Sequence, residues 1–252
     1  MLPHVLLVQF RTSTETARLE LESVGRELGT TVVVRTASAL DGELTWNNPR
    51  VLLDGVSGVI LGGSGDFDFD GCRDVADPAR IQSYELLDQL RPLLDYIFEH
   101  DVPTLGICFG HQLIGAYKGV TVHHDPTQSK MKSHQVELLV DTVDHSLLQD
   151  LPRSFSAQYG HKDVLATVPV DARLVMCGGD CCQISALAYQ KNIYTVQFHP
   201  ELSVADMYKR VETTPGYLPE GCTVEALFED SPAANRLLHN FASLVISQSD
   251  QY

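Results

Sequence analysis

The chain has 252 residues, 44 % of them hydrophobic, and carries 33 acidic against 18 basic side chains for a formal charge of −15. That length and apolar content can bury the core of one α/β domain, and the acidity without any clustered Lys/Arg stripe argues against a nucleic-acid backbone as partner. The negative charge is read as a self-repelling soluble surface in preference to an acidic docking face. Six cysteines show no C-x-x-C pair and no metal-ligand spacing. The vicinal pair Cys181-Cys182 suits reduced thiols in a cytoplasmic protein better than a secreted disulfide framework.

Val5 to Phe10 is a continuous apolar run suited to a buried first strand, without the basic region of a signal peptide, and no stretch is long enough to span a membrane. Thr12 and Glu15 have capping-box spacing, Ala17, Leu21, Val24 and Leu28 line one helical face, and Gly29 is the stop. Thr31 to Arg35 reads as a second strand, so the alternation predicts a parallel sheet with right-handed crossovers. Trp46 to Pro49 is a loop and Gly58 to Leu61 a third strand, running into Gly62-Gly63-Ser64-Gly65, where the backbone can approach a ligand closely. Asp66, Asp68, Asp70 and Asp77 then have the offsets of a calcium loop, although Asp stands at the twelfth position and a strand precedes. The preferred reading is a solvated acidic loop with Phe67 and Phe69 folded over the core. Asp77-Pro78 opens a long helix through Ile97, which Pro92 is expected to kink or break.

Thr104-Leu105-Gly106-Ile107-Cys108-Phe109-Gly110-His111-Gln112 reads as strand, sharp turn and helix, with Cys108 at the turn. Glycines two before and two after it keep strand and helix from colliding, and the unpaired N–H groups of a helix's first turn favour a thiolate and an oxyanion. From Val120 onward short β segments (Val136–Val140, Ser154–Gln158, Arg173–Cys177, Ser185–Tyr189) separated by turn residues predict antiparallel pairing appended to the parallel core. Ile193 to Phe198 is a strand, and His199-Pro200-Glu201 follows it directly. In extended chain His199 and Glu201 point to one side, so the carboxylate can orient the imidazole as a cysteine nucleophile requires. His111, beside a Cys already served by His199, is read as structural. Beyond Glu201, Gly216, Pro219 and Gly221 interrupt the chain, and Ala233 to Ile246 forms an amphipathic helix that packs on the sheet or serves as a lid or partner-docking element.

A G-x-C-x-G elbow followed far downstream by H-P-E resembles the triad-type (class I) glutamine amidotransferases, from about Val5 to Glu201. The resemblance implies an open, mostly parallel α/β sheet of flavodoxin-like type, a domain over 1–202 with an extension over 203–252, and a Cys108–His199–Glu201 triad. It implies that Gly63 and Phe109 supply the oxyanion donors, although Ser64 stands where the family often has Pro. Gln112 matches a substrate-contacting position. Tyr159, Gly160 and His161 lie in a segment similar to the family's H-x-D segment, whose backbone holds the substrate's α-groups; a structural turn stabilised by Asp163 is the alternative. No cofactor is implied. The expected chemistry is release of ammonia from glutamine through a glutamyl thioester. The sequence contains no synthase domain and no P-loop, so the ammonia goes to a separate synthase subunit, or the chain is a self-sufficient γ-glutamyl peptide hydrolase. A non-catalytic regulatory relative is the reading from another class, and the intact Cys108, His199 and Glu201 count against it.

Overall fold

A computed structural model describes residues 2–214 and 217–249. The chain begins β1 (His4–Gln9), α1 (Thr14–Leu28), β2 (Val33–Ser38), α2 (Pro49–Leu52), β3 (Val56–Leu61), α3 (Pro78–His100), β4 (Thr104–Ile107) and α4 (Phe109–Tyr117). It continues β5 (Val122–His124), β6 (Lys130–Leu138), β7 (Ser154–His161), β8 (Asp163–Leu165), β9 (Arg173–Cys177), β10 (Ala186–Ala188), β11 (Ile193–Val196), α5 (Val204–Thr213), α6 (Val224–Leu227) and α7 (Pro232–Ser249). Among the described residues one nine-stranded sheet runs in the order β2-β1-β3-β4-β11-β10-β9-β6-β7. Its pairs are parallel from β2 to β11 and antiparallel from β11 to β7. β5 and β8 form a small separate antiparallel pair.

The parallel half has one large apolar cluster on each face, as strands covered on both sides require. Val5, Leu7 and Ile60 pack with α1 and α7 on one face, while Leu6, Val8 and Leu61 pack with α3 and α4 on the other. The expected amphipathic helix is α7, whose Leu237, Leu238, Phe241 and Val245 are buried against the sheet. Gly216 lies outside the described residues.

Three local expectations are corrected. α1 is capped by Ser13, not Thr12, because the Thr12 N–H is taken by the Asp66 carboxylate at 2.9 Å. β2 begins two residues after Thr31 and extends to Ser38, following its pairing with β1. Pro92 does not break α3, which is continuous from Pro78 to His100. The proline removes only the bond to Asp88, a solvent-exposed residue, and Leu90, Leu93, Leu94 and Ile97 carry the buried face across it.

The acidic segment is an ordinary loop closed by local partners. Asp68 accepts from Arg73 at 2.8 Å and from Lys162 at 3.4 Å. Asp70 accepts the His124 N–H at 3.2 Å, and Asp77 caps α3 through the Ala79 N–H at 2.9 Å. Phe69 is fully buried and stacks on Phe109 with ring centroids 5.4 Å apart. Among the described residues the four carboxylates do not converge on a common point.

The elbow demands glycine on both sides. A Cβ on Gly110 would lie 2.2 Å from the Leu61 carbonyl oxygen, and one on Gly106 would lie 2.8 Å from the Gly110 carbonyl oxygen. Gly110→Ala should therefore destabilise the protein by about 3 kcal/mol through overpacking, despite the better helix propensity of alanine; an unchanged urea midpoint would show that α4 does not press on β3. Calcium should raise the melting temperature no further than magnesium does, and a calcium-specific rise in a thermal scan would restore the calcium-loop reading.

Candidate active site

The site lies at the carboxyl ends of β3, β4 and β11, neighbours in the sheet, where open α/β sheets place ligands. Cys108 is the single residue between β4 and α4, held at φ 52° and ψ −98°. A non-glycine residue at positive φ is strained, and here the surroundings fix it. The Cys108 N–H donates to Val196 O at 2.8 Å, and the next helical N–H, from Gly110, donates to Gly62 O at 3.1 Å. The Phe109 N–H between them, at the start of α4, has no hydrogen-bond partner among the described residues.

His199 lies three residues past the end of β11, fixed by its N–H to Gln158 O at 2.8 Å. Its Nδ1 is 2.7 Å from Glu201 Oε1. Both side chains are almost fully buried, at 5 % and 1 % exposure, so the pair interacts without solvent screening. Burial opposes a charge on His199, but Glu201 and the Cys108 sulfur outweigh it and lift the pKa to about 10. Burial likewise opposes a charge on Glu201, and His199 with Arg210 overcomes it, holding the carboxyl below its usual range. His199 and Cys108 meet over Gly63: a Cβ there would lie 3.0 Å from His199 Cε1 and 3.7 Å from Cys108 Cβ.

The predicted substrate residues fall in different places. Gln112 lines the cleft and donates to Asp163 O at 2.9 Å and to Gln197 Oε1 at 3.3 Å. Gly160 and His161 line the opposite wall, with the Gly160 carbonyl 3.9 Å from Cys108 Sγ. Neither ring nitrogen of His161 has a side-chain or backbone acceptor among the described residues, and burial pushes its pKa down to about 3, so the ring is neutral. Tyr159 points away: its hydroxyl meets Ser185 Oγ at 2.7 Å inside the core. Asp163 accepts from the N–H groups of Asp70 and Gly71 at 2.8 and 2.6 Å, so this segment is also a structural clasp. His111 is fully buried, 2.7 Å from Thr195 Oγ1, and held neutral with a pKa of about 3 by burial.

The Gly63 N–H donates to the Glu20 carboxylate at 3.2 Å. Sequence reasoning missed Glu20, which lies on the face of α1 turned to the glycine loop, and missed its partner Arg11, which follows β1. It also missed Gln197, whose Nε2 is 3.6 Å from Cys108 Sγ, and Arg210, 3.4 Å from Glu201 Oε1. The charged residue shortly after a parallel strand, Arg11 after Gln9-Phe10, was the available signal for the first of these. The cleft, about 270 Å³, extends from Cys108 past Arg11 to Leu19 and to Thr214 and Tyr217 beyond α5.

Burial also separates the thiols. Cys181 and Cys182 are raised to about 11 and about 12 by desolvation. With Cys108 at a helix start beside His199, substoichiometric iodoacetamide near neutral pH should modify it before either of them and before exposed Cys72 and Cys222, as read by peptide mapping. A Cys108 that stays unmodified while Cys72 reacts would end its assignment as nucleophile.

Comparison with known proteins agrees with this fold. The profile of the family described as glutamine amidotransferase class-I matches residues 21–212. A GMP synthase [glutamine-hydrolyzing] subunit from Methanocaldococcus jannaschii is 31 % identical over 119 residues, covering 46 % of this chain and 60 % of that protein. The GMP synthase [glutamine-hydrolyzing] subunit of the same name from Thermoplasma volcanium is 29 % identical over 152 residues, 60 % of this chain and 65 % of its own length. The matched region thus spans under two thirds of either relative. Among solved structures, a glutamine amidotransferase from Thermotoga maritima superposes with a TM-score of 0.72 at 19 % identity, covering 98 % of this chain and 99 % of that one. A glutamine amido transferase from Methylobacillus flagellatus gives 0.64 at 14 % identity, covering 98 % and 96 %. These two likenesses speak for the fold, and with the profile match over most of its length the chain belongs to the glutamine amidotransferase class-I family.

Proposed function

We propose that the chain hydrolyses the side-chain amide of glutamine through a thioester on Cys108, with His199 as acid–base group and Glu201 as its orienter. The observation that carries this reading is a strained cysteine at a helix start, meeting a buried His199–Glu201 pair 2.7 Å apart. His199 holds the thiol proton, and the sulfur attacks the amide carbon. The developing oxyanion faces the Phe109 N–H at the start of α4. Once the sulfur is bonded to carbon in the tetrahedral adduct and carries no charge, one of the two groups that raise the His199 pKa disappears. The imidazolium then gives its proton to the leaving amine more readily. Neutral His199 next takes a proton from water, which attacks the thioester carbonyl and releases glutamate. Glu201 keeps Nδ1 protonated throughout, so Nε2 does the transfer.

Ammonia released in this way passes to a separate synthase subunit. The curated relatives carry the name of one subunit of a glutamine-hydrolysing GMP synthase, which supports a partner for this chain too. A second reading, hydrolysis of γ-glutamyl peptides, is favoured by one observation: the cleft runs on beyond the triad to Leu19, Thr214 and Tyr217, where a leaving amine larger than ammonia fits.

Comparing kcat/KM for glutamine and a γ-glutamyl dipeptide on the isolated protein, with Cys108→Ala as blank, tests both. Glutamine should be the better substrate and Cys108→Ala should abolish turnover. A hundredfold preference for the dipeptide, about 2.7 kcal/mol in transition-state binding, would replace the first reading by the second, and turnover by Cys108→Ala would overturn both.

A further inference from the structure

The Arg11–Glu20 pair lies against the catalytic centre and has no part in the triad. Glu20 is 2 % exposed and Arg11 8 %, joined by Arg11 Nη2 to Glu20 Oε1 at 2.8 Å and Arg11 Nε to the same oxygen at 3.2 Å. Glu20 Oε2 accepts from Gln9 Nε2 at 3.1 Å. The carboxylate is thus surrounded by donors, and one of them is the Gly63 N–H at 3.2 Å. A backbone N–H has one hydrogen, so while it is aimed at Glu20 it is not turned to a developing oxyanion.

Arg11 supplies what Gly63 does not. Its Nη2 lies 3.4 Å from the point where a Gly63 Cβ would sit, the same point that is 3.7 Å from Cys108 Cβ and 3.0 Å from His199 Cε1. Its Nη1 makes no hydrogen bond to any described residue, stands 3.9 Å from a Gly65 Cβ position, and belongs to the wall of the cleft. Burial works against the Arg11 charge and Glu20 restores it, with Glu201 and Cys108 adding to the same effect. Two of the five N–H groups of the fork anchor it to Glu20, and the rest remain for the cleft.

We propose that Arg11 is a catalytic residue: its guanidinium, clamped by Glu20, replaces the Gly63 N–H as the second donor to the tetrahedral oxyanion, opposite the Phe109 N–H. This rests on the Cys108 thioester reading. The step itself is unchanged. The sulfur–carbon bond forms, the C=O electron pair moves onto oxygen, and Arg11 stabilises that charge without transferring a proton. Glu20 is a positioning residue, fixing both the fork and the glycine loop. A cation is stronger than a neutral N–H in a buried site.

The test separates transition-state from ground-state effects. Arg11→Gln keeps a donor for Glu20 and removes the cation. Arg11→Met combined with Glu20→Gln removes both charges, while the new amide oxygen on α1 still accepts the Gly63 N–H, which guards against a single variant that fails to fold. With L-glutamine and γ-glutamylglycine as probes, and cooperative melting as the folding check, kcat should fall about 100-fold or more, as for loss of an oxyanion donor, with KM within about threefold. An unchanged kcat in whichever variant folds overturns the proposal, and so does a rise confined to KM, which would make Arg11 a binder of a substrate carboxylate. Cys108→Ala in the same series separates the two failures: if it is inactive while Arg11→Gln is fully active, only the Arg11 assignment falls, whereas turnover by Cys108→Ala removes the thioester itself.

Discussion

The close approach of α4 to β3 governs the geometry of this protein. With a Gly110 Cβ excluded by the Leu61 carbonyl at 2.2 Å, and the Gly110 N–H bonded to Gly62 O, the helix starts directly against the neighbouring strand. β4 then has one residue in which to reverse direction, and that residue takes φ 52°. The strain is tolerated because β4 is bonded on both sides, to β3 and to β11. Its result is a side chain raised above the strand ends at the first turn of a helix, where N–H groups are unpaired and electrostatics favour an anion.

The same sheet order brings the other chemistry to Cys108. β11 is the last strand among the described residues, yet it lies beside β4, and β10 to β7 continue antiparallel from it. The His199-Pro200-Glu201 turn therefore leaves the sheet beside the elbow, and the end of β7 closes the opposite wall through Gly160. Segments after Glu201 buttress that turn. Arg26 of α1 donates to Glu201 O at 2.9 Å and holds Asp206 of α5 at 2.7 Å. Asn235 of α7 donates to Pro200 O at 2.7 Å.

The elbow and the His199–Glu201 pair were legible because each is set by short-range chemistry. Gly106 and Gly110 around Cys108 state a steric requirement, and His199 and Glu201 state a two-residue spacing at a strand end. Strand edges were less legible, since β2 is positioned by pairing with β1 and not by its own β-branched run. Pro92 misled because its cost depends on where Asp88 lies relative to solvent, which is a tertiary fact. Glu20 was illegible for a related reason. On a helical wheel it is a polar residue among others, and only the approach of α1 to the glycine loop makes it an acceptor for Gly63.

Charge is distributed against the trend of the chain. At −15 overall, the protein repels anions at long range, yet Arg11, Lys162 and Arg210 all reach the cleft beside Cys108. Each is tied to a carboxylate: Arg11 to Glu20, Lys162 to Asp68, and Arg210 to Glu201. Paired in this way, the cations add little net field at a distance and act mainly at contact range, where direction matters more than net charge. A site of that kind attracts a substrate weakly from solution and discriminates among charge distributions once the substrate is bound. Fixed, paired donors of this kind act through their direction at contact range, so the acidic exterior and the cationic cleft do not oppose one another.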